Sequence, residues 1–195
     1  MDTVAARQQM VDQQIRTWEV LDPRVLEVFA TVPREAFVPP EYRDLAFADA
    51  EIPIGYGQSM LAPKLQGRIL QALAVTAKES VLEVGSGTGY LSACLALLSS
   101  STHSVDIHPE LTKAAAVNVR TVPSASVKFE TRDACSGDSH RLWTIDAGAE
   151  AAGPHFAGPG SDREGKRARS RQRHRLSVGL PGTAFFLDTQ HRHSS

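Results

Sequence analysis

Apolar residues Val4, Val11, Ile15 and Trp18 recur at helical spacing near the start of the chain, which predicts an amphipathic packing helix from about 4 to 18. A second helix carries its own boundary signals. Asp22 is a good N-cap, Pro23 suits the first helical position, Val25, Leu26 and Phe29 share one face, and Pro33 stops it. The next stretch, VPREAFVPPEYRDLAFADAEIPIGYGQSMLAP, holds too many prolines and glycines for long regular elements. Its aromatics Phe37, Tyr42, Phe47 and Tyr56 must pack to order it, so it reads as a structured cover over a cleft. Helical spacing resumes from Lys64 to Val75, with Leu65, Ile69, Leu70 and Leu73 on one face.

The pattern then changes to that of a layered α/β core. An apolar run from Val81 to Val84 stops at Gly85, Gly87 and Gly89, and a helical pattern begins at once with Leu91, Cys94, Leu95 and Leu98. Ser104 to Ile107 make a short strand carrying Asp106 at its end, and Pro109 opens a helix through Leu111, Ala115 and Asn118. Val127 to Glu130 read as a third strand, followed by Asp133. Strand, helix, strand, helix, strand implies a mostly parallel sheet. Beyond about Ser136 the periodicity weakens, and Leu142 to Ile145, Leu176 to Leu180 and Ala184 to Leu187 alone resemble buried segments.

Composition narrows the setting. A chain of 195 residues is expected to form one domain with a sizeable core. Its formal net charge of −1 gives no global field for nucleic acid or membranes. The two cysteines, Cys94 and Cys135, are too few and too far apart for a disulfide framework or a zinc site, so no metal is expected. The first residues are charged throughout and no window approaches a membrane span, so a protein of the reduced cytoplasm is expected. The basic run GKRARSRQRHR can bind nucleic acid, but reads better as a solvated tail.

The glycine turn carries the chemistry. Glycines allow backbone angles that a Cβ forbids and let a ligand approach bare backbone, while the following helix presents free N–H groups. Tyr90 stands where a dinucleotide fingerprint needs glycine, and no GK[ST] follows, which disfavours dinucleotides and a Walker-type loop. Glu83 places a carboxylate at the strand end, suited to a cationic group. An E-x-G-x-G-x-G turn resembles the S-adenosylmethionine loop of class I methyltransferases. Asp106, about 20 residues beyond the loop, has the spacing at which an acid reaches ribose hydroxyls, and Asp133 stands where an acceptor can take an exocyclic amine.

From about Met10 to Gly137 the chain resembles the protein-L-isoaspartate O-methyltransferases, which methylate the stray carboxylate of isoaspartyl damage. VPREAFVPPEYRDLAFAD and P-I-G-x-G-Q carry that resemblance, with VLEVGSGTGYLSACLA behind them. It implies a Rossmann-like class I fold, S-adenosyl-L-methionine as cofactor and isoaspartyl proteins or peptides as partners, with a monomer expected. It also implies that Glu83, Gly85, Ser86, Gly87 and Gly89 hold the methionine end, Asp106 the ribose and Asp133 the adenine.

Two departures qualify this. The family reads Q-T-I-S-x-P where this chain has Gln58, Ser59, Met60, Leu61, Ala62 and Pro63. Ser59 keeps a hydroxyl at the threonine position and is the candidate catalytic residue, whereas Leu61 stands at the serine position and cannot hydrogen-bond through its side chain. Past Gly137 the family's fourth strand and K-P-G-G turn are not spelled out. A reading-frame shift near Ser136 to Arg141 is the expected cause, with a genuinely divergent tail as the alternative; either leaves residues 1–136 as the functional unit and 137–195 as an atypical tail. The alternatives are a methyltransferase for another acceptor, a catalytically impaired S-adenosylmethionine-binding paralogue, and nucleic-acid binding through Lys166 to Arg175.

Overall fold

A computed structural model describes residues 2–133 and the strand at 184–189. Helix α1 (Thr3–Met10) starts at Asp2, whose carboxylate accepts from the Val4 and Ala5 amides at 3.0 and 3.2 Å. It then loosens into a π-helical turn, Val11–Ile15, and tightens into a 3-10 turn, Arg16–Trp18. Each change of pitch rotates the residues that follow, so one face does not persist from 4 to 18. Met10, Val11 and Ile15 are buried, whereas Val4 is 69% and Trp18 48% exposed. The expected apolar face is thus corrected: Trp18 stands outside it, with Lys64 Nζ 4.4 Å over its ring.

Helix α2 (Pro23–Thr31) follows its sequence signals. Asp22 Oδ1 accepts from the Arg24 amide at 2.9 Å, and Val25, Leu26 and Phe29 are buried together with Val28. The proline-rich cover forms 3-10 turns at Arg34–Ala36 and Pro40–Leu45, then a hairpin of β1 (Ile52–Gly55) and β2 (Gln58–Met60). Its tip, Gly55, Tyr56 and Gly57, has positive φ throughout, which explains the glycines on either side of the tyrosine. Helix α3 (Pro63–Leu73) then leads to the sheet.

The core alternates β3 (Glu79–Val84), α4 (Tyr90–Leu98), β4 (Ser101–Asp106), α5 (Pro109–Asn118) and β5 (Val127–Thr131). These three strands are parallel, in spatial order β5-β4-β3, as the α/β reading expected. Along the other edge of β3 runs β6 (Ala184–Thr189), antiparallel, with Glu83 opposite Phe185. It overlaps one of the tail segments singled out by its apolar character. The remaining tail readings, namely Leu142 to Ile145, Leu176 to Leu180, the basic run and the frame shift, lie outside the described residues.

Burial of α4 fixes the site's geometry. Its residues Ala93, Cys94 and Leu95 are fully buried, and Tyr90 at its start meets Phe29 and Phe37 edge-on at 5.9 and 5.5 Å between centroids. Two aromatics from α2 and the cover thereby pin the helix that begins at the glycine loop.

Candidate functional site

The glycine loop is held from β4. The Gly85 amide donates to the Val105 carbonyl at 2.8 Å, and the Gly87 amide donates to Asp106 Oδ2 at 2.9 Å. The other oxygen, Asp106 Oδ1, accepts from the His108 amide at 2.9 Å. Gly85, Gly87 and Gly89 have φ of 94°, 52° and 89°, in the region where a Cβ is strained. The glycines are needed for different reasons. A Cβ on Gly89 would lie 2.9 Å from the Ala115 Cβ and 3.0 Å from its Cα, so this glycine lets α4 pack on α5. A Cβ on Gly87 would meet the Ile54 Cδ1 of the cover at 3.1 Å. The first turn of α4 receives no side-chain cap, which leaves its leading N–H groups available to a ligand.

Glu83 is 1% exposed and belongs to a buried hydroxyl cluster. Its carboxylate accepts from Ser104 Oγ at 2.6 Å and from Ser92 Oγ, while Ser86 and Ser104 share a bond of 2.6 Å. Burial pushes the Glu83 carboxyl up to about 7, against the two serine bonds that favour its charged form, with a further push from nearby Asp106. A carboxyl balanced near neutrality can accept from a cation at the cost of little further rearrangement.

The cover closes the other side. One cavity of about 40 Å³ is lined by Ser59, Leu61, Glu83, Gly85, Ser86 and Gly87, so six of the residues singled out in the sequence come together. Asp106 joins them through the Gly87 amide. Gly89 serves helix packing, and Asp133, exposed just past β5, stands apart from the cavity lining. At its tip the hairpin lays Tyr56 on His108, stacked at 4.8 Å and 23°, which fastens the cover to the end of β4.

Sequence reasoning passed over the residues behind this cavity. Arg34 is fully buried: its Nε donates to the Ala46 carbonyl at 2.8 Å, Nη2 to the Leu61 carbonyl at 2.7 Å, and Nη1 to Gln66 Oε1. Its guanidinium also lies 4.8 Å from the Tyr90 ring centroid. Gln66 and Tyr90 line the cavity as well. The available signal was polarity out of phase: Ser92 interrupts the apolar run of α4, and Ser104 sits on the buried side of β4.

Known proteins share both sequence and fold. A protein-L-isoaspartate O-methyltransferase of Aeropyrum pernix is 47% identical over 117 residues, covering 58% of this chain and 45% of the relative. Protein-L-isoaspartate O-methyltransferase 2 of an Anaeromyxobacter species is 45% identical over 105 residues, 54% of this chain and 43% of that one. The chain thus spans about half the length of these relatives. For the Rhodopseudomonas palustris protein-L-isoaspartate O-methyltransferase 1 the identity is 36% over 157 residues, 78% of this chain and 62% of the relative. In fold the chain resembles a Plasmodium falciparum protein assigned as a protein-L-isoaspartate O-methyltransferase, solved with S-adenosyl-L-homocysteine, at a TM-score of 0.55, 18% identity and coverage of 64% and 62%. The family model for protein-L-isoaspartate(D-aspartate) O-methyltransferase matches residues 5–141, well over half of the sequence, and the chain belongs to that family.

Proposed function

We propose that this chain transfers a methyl group from S-adenosyl-L-methionine to the carboxylate of L-isoaspartyl residues in damaged proteins or peptides, acting as a cytoplasmic monomer. The observation that carries the reading is the cavity where the glycine loop with Glu83 meets the cover segment Ser59 to Leu61. Family membership and the names of the relatives support it. Among the described residues no helix is long and apolar enough to cross a membrane.

The residues fit the cofactor. Gly87 offers bare backbone, Glu83 an acceptor for an ammonium group, and the first turn of α4 uncapped N–H donors for a carboxylate. Both Asp106 oxygens keep a lone pair after bonding the loop amides, enough to receive ribose hydroxyls. Asp133 would take the adenine amine. The cavity opens to solvent, so the nucleoside would extend from it toward Asp106.

When bound, the cofactor supplies an electrophilic methyl on a sulfonium. The chain's own part is alignment and exclusion of water, because direct displacement by a carboxylate needs little acid or base help. Ser59 would donate its hydroxyl to the acceptor carboxylate, and Ile54, Met60 and Leu61 keep the wall apolar. The test is methyl-ester formation on an isoaspartyl peptide against its aspartyl twin. Labelling confined to the isoaspartyl peptide is expected; equal or absent labelling of both overturns the substrate.

Leu61 favours a second reading, a protein that binds the cofactor and turns over no isoaspartyl acceptor, because the family's serine hydroxyl is missing there. Calorimetry showing binding of S-adenosyl-L-methionine alongside silent peptide assays would select it.

A further inference from the structure

Arg34 is a buried cation placed behind the cavity wall. Three of the residues that line the cavity touch it directly: the Leu61 carbonyl at 2.7 Å, the Gln66 side chain, and the Tyr90 ring at 4.8 Å from its centroid. Its remaining bond, 2.8 Å to the Ala46 carbonyl, ties the same group to the cover. The cover at Ala46, the stretch from Leu61 to Gln66 and the start of α4 at Tyr90 therefore converge on one guanidinium.

All of these partners are neutral. Among the described residues no carboxylate forms an ion pair with Arg34, whereas Arg7, exposed to a small degree, has Glu35 at 2.7 Å. A cation taken out of water is strongly disfavoured when no opposite charge compensates it. Carbonyl and amide oxygens solvate it in part, and they leave its full positive charge to act on whatever enters the cavity, through low-dielectric surroundings that screen it weakly. The cation also fixes the backbone at Leu61, in the short link between β2 and α3 where the acceptor would lie.

We propose that Arg34 is the positioning residue of the acceptor side: its charge favours an anionic acceptor in the cavity, and its bond to the Leu61 carbonyl holds the Ser59 to Ala62 segment in place to receive it. The inference rests on the methyl-transfer reading above and adds what selects a carboxylate. Glu83 in the cavity lining and Asp106 behind the Gly87 amide serve the cofactor side, so the two halves of the site respond to different substitutions.

The experiment compares Arg34→Lys and Arg34→Met with the unaltered chain, using an isoaspartyl peptide and labelled S-adenosyl-L-methionine, with peptide and cofactor affinities measured separately by calorimetry. Arg34→Lys keeps the charge and loses the fork, so the peptide KM is expected to rise about tenfold while cofactor Kd stays within about twofold. Arg34→Met loses both, and peptide binding is expected to fall further, with cofactor binding retained. If Arg34→Met does not fold, Arg34→Lys alone decides. Equal loss of peptide and cofactor affinity in Arg34→Lys would reduce Arg34 to a scaffold residue and overturn the inference, as would an unchanged peptide KM in either folded variant. Failure of the methyl-transfer reading itself shows in the unaltered chain, as absent labelling of the peptide, before any variant is compared.

Discussion

Glu83 and Ser104 are partners on neighbouring parallel strands, and the serine hydroxyl donates to the glutamate carboxylate at 2.6 Å in the interior beneath the glycine loop. The strand that ends at the loop therefore depends on β4 for the polar bonds of its one buried acid. Ser92 completes the arrangement from α4, so sheet and helix share a hydrogen-bonded cluster at the site.

Stability should fall as pH rises through the titration of Glu83. Burial raises its folded pKa from 4.5 to about 7, so the native state holds the proton longer than the unfolded chain. Its contribution is present in full below about 4.5 and is lost as pH approaches 7. At about 1.36 kcal/mol per pH unit, the loss is at most ~3 kcal/mol. Denaturant midpoints measured from pH 5 to 8 should decline in the wild type and stay flatter in Glu83→Gln. Parallel profiles would show that another group is responsible.

Gly87→Val and Gly89→Val should fail in different ways. A Cβ at position 89 meets the Ala115 backbone, which cannot yield, so the thermal midpoint should drop sharply. At position 87 the obstacle is the end of the Ile54 side chain, together with a φ of 52° that suits β-branched residues poorly. That variant should fold with a smaller loss and bind S-adenosyl-L-methionine weakly or not at all. Retained affinity in folded Gly87→Val would remove the loop from the cofactor site.

Leu61→Ser should increase isoaspartyl methylation. The substitution places a hydroxyl in the cavity lining, and one net neutral hydrogen bond of ~1 kcal/mol corresponds to roughly fivefold in rate. The main-chain bond from Arg34 to the Leu61 carbonyl does not depend on the side chain, so the segment should keep its position. A fall in activity with a lower melting temperature would identify Leu61 as a packing residue.

Asp106→Ala should weaken cofactor binding by at least about tenfold. The carboxylate is 6% exposed and holds the Gly87 and His108 amides at 2.9 Å each. Charge-assisted bonds of this kind contribute about 1.5–3 kcal/mol. Asp106→Asn keeps one acceptor oxygen and should fall between the two. Calorimetric affinity equal to wild type in both would separate Asp106 from the ligand.

Much of the fold was legible because it depends on local chemistry. Asp22 and Pro23 mark the start of α2 as the sequence predicted, and the apolar run Val81 to Val84 gives way at Gly85 to a turn that residues with a Cβ rarely adopt. The first helix was legible in extent and misread in face, because a π-helical turn at Val11–Ile15 changes the phase that periodicity assumes to be constant.

The sequence by itself determined the order of elements, the glycine turn and the identity of the acids near it, since caps, breakers and residue spacing act within a few positions. Tertiary structure decided what those acids and glycines do. Glu83 proved to be a buried partner of serines from α4 and β4, Gly89 a contact with Ala115, and Asp106 the anchor of the Gly87 amide. Arg34, far from the glycine loop in sequence, became the anchor behind the cavity lining through contacts 12 to 32 positions away. Such contacts carry no local signal, because their energy comes from pairing polar groups removed from water together, and that pairing exists only once the chain has folded.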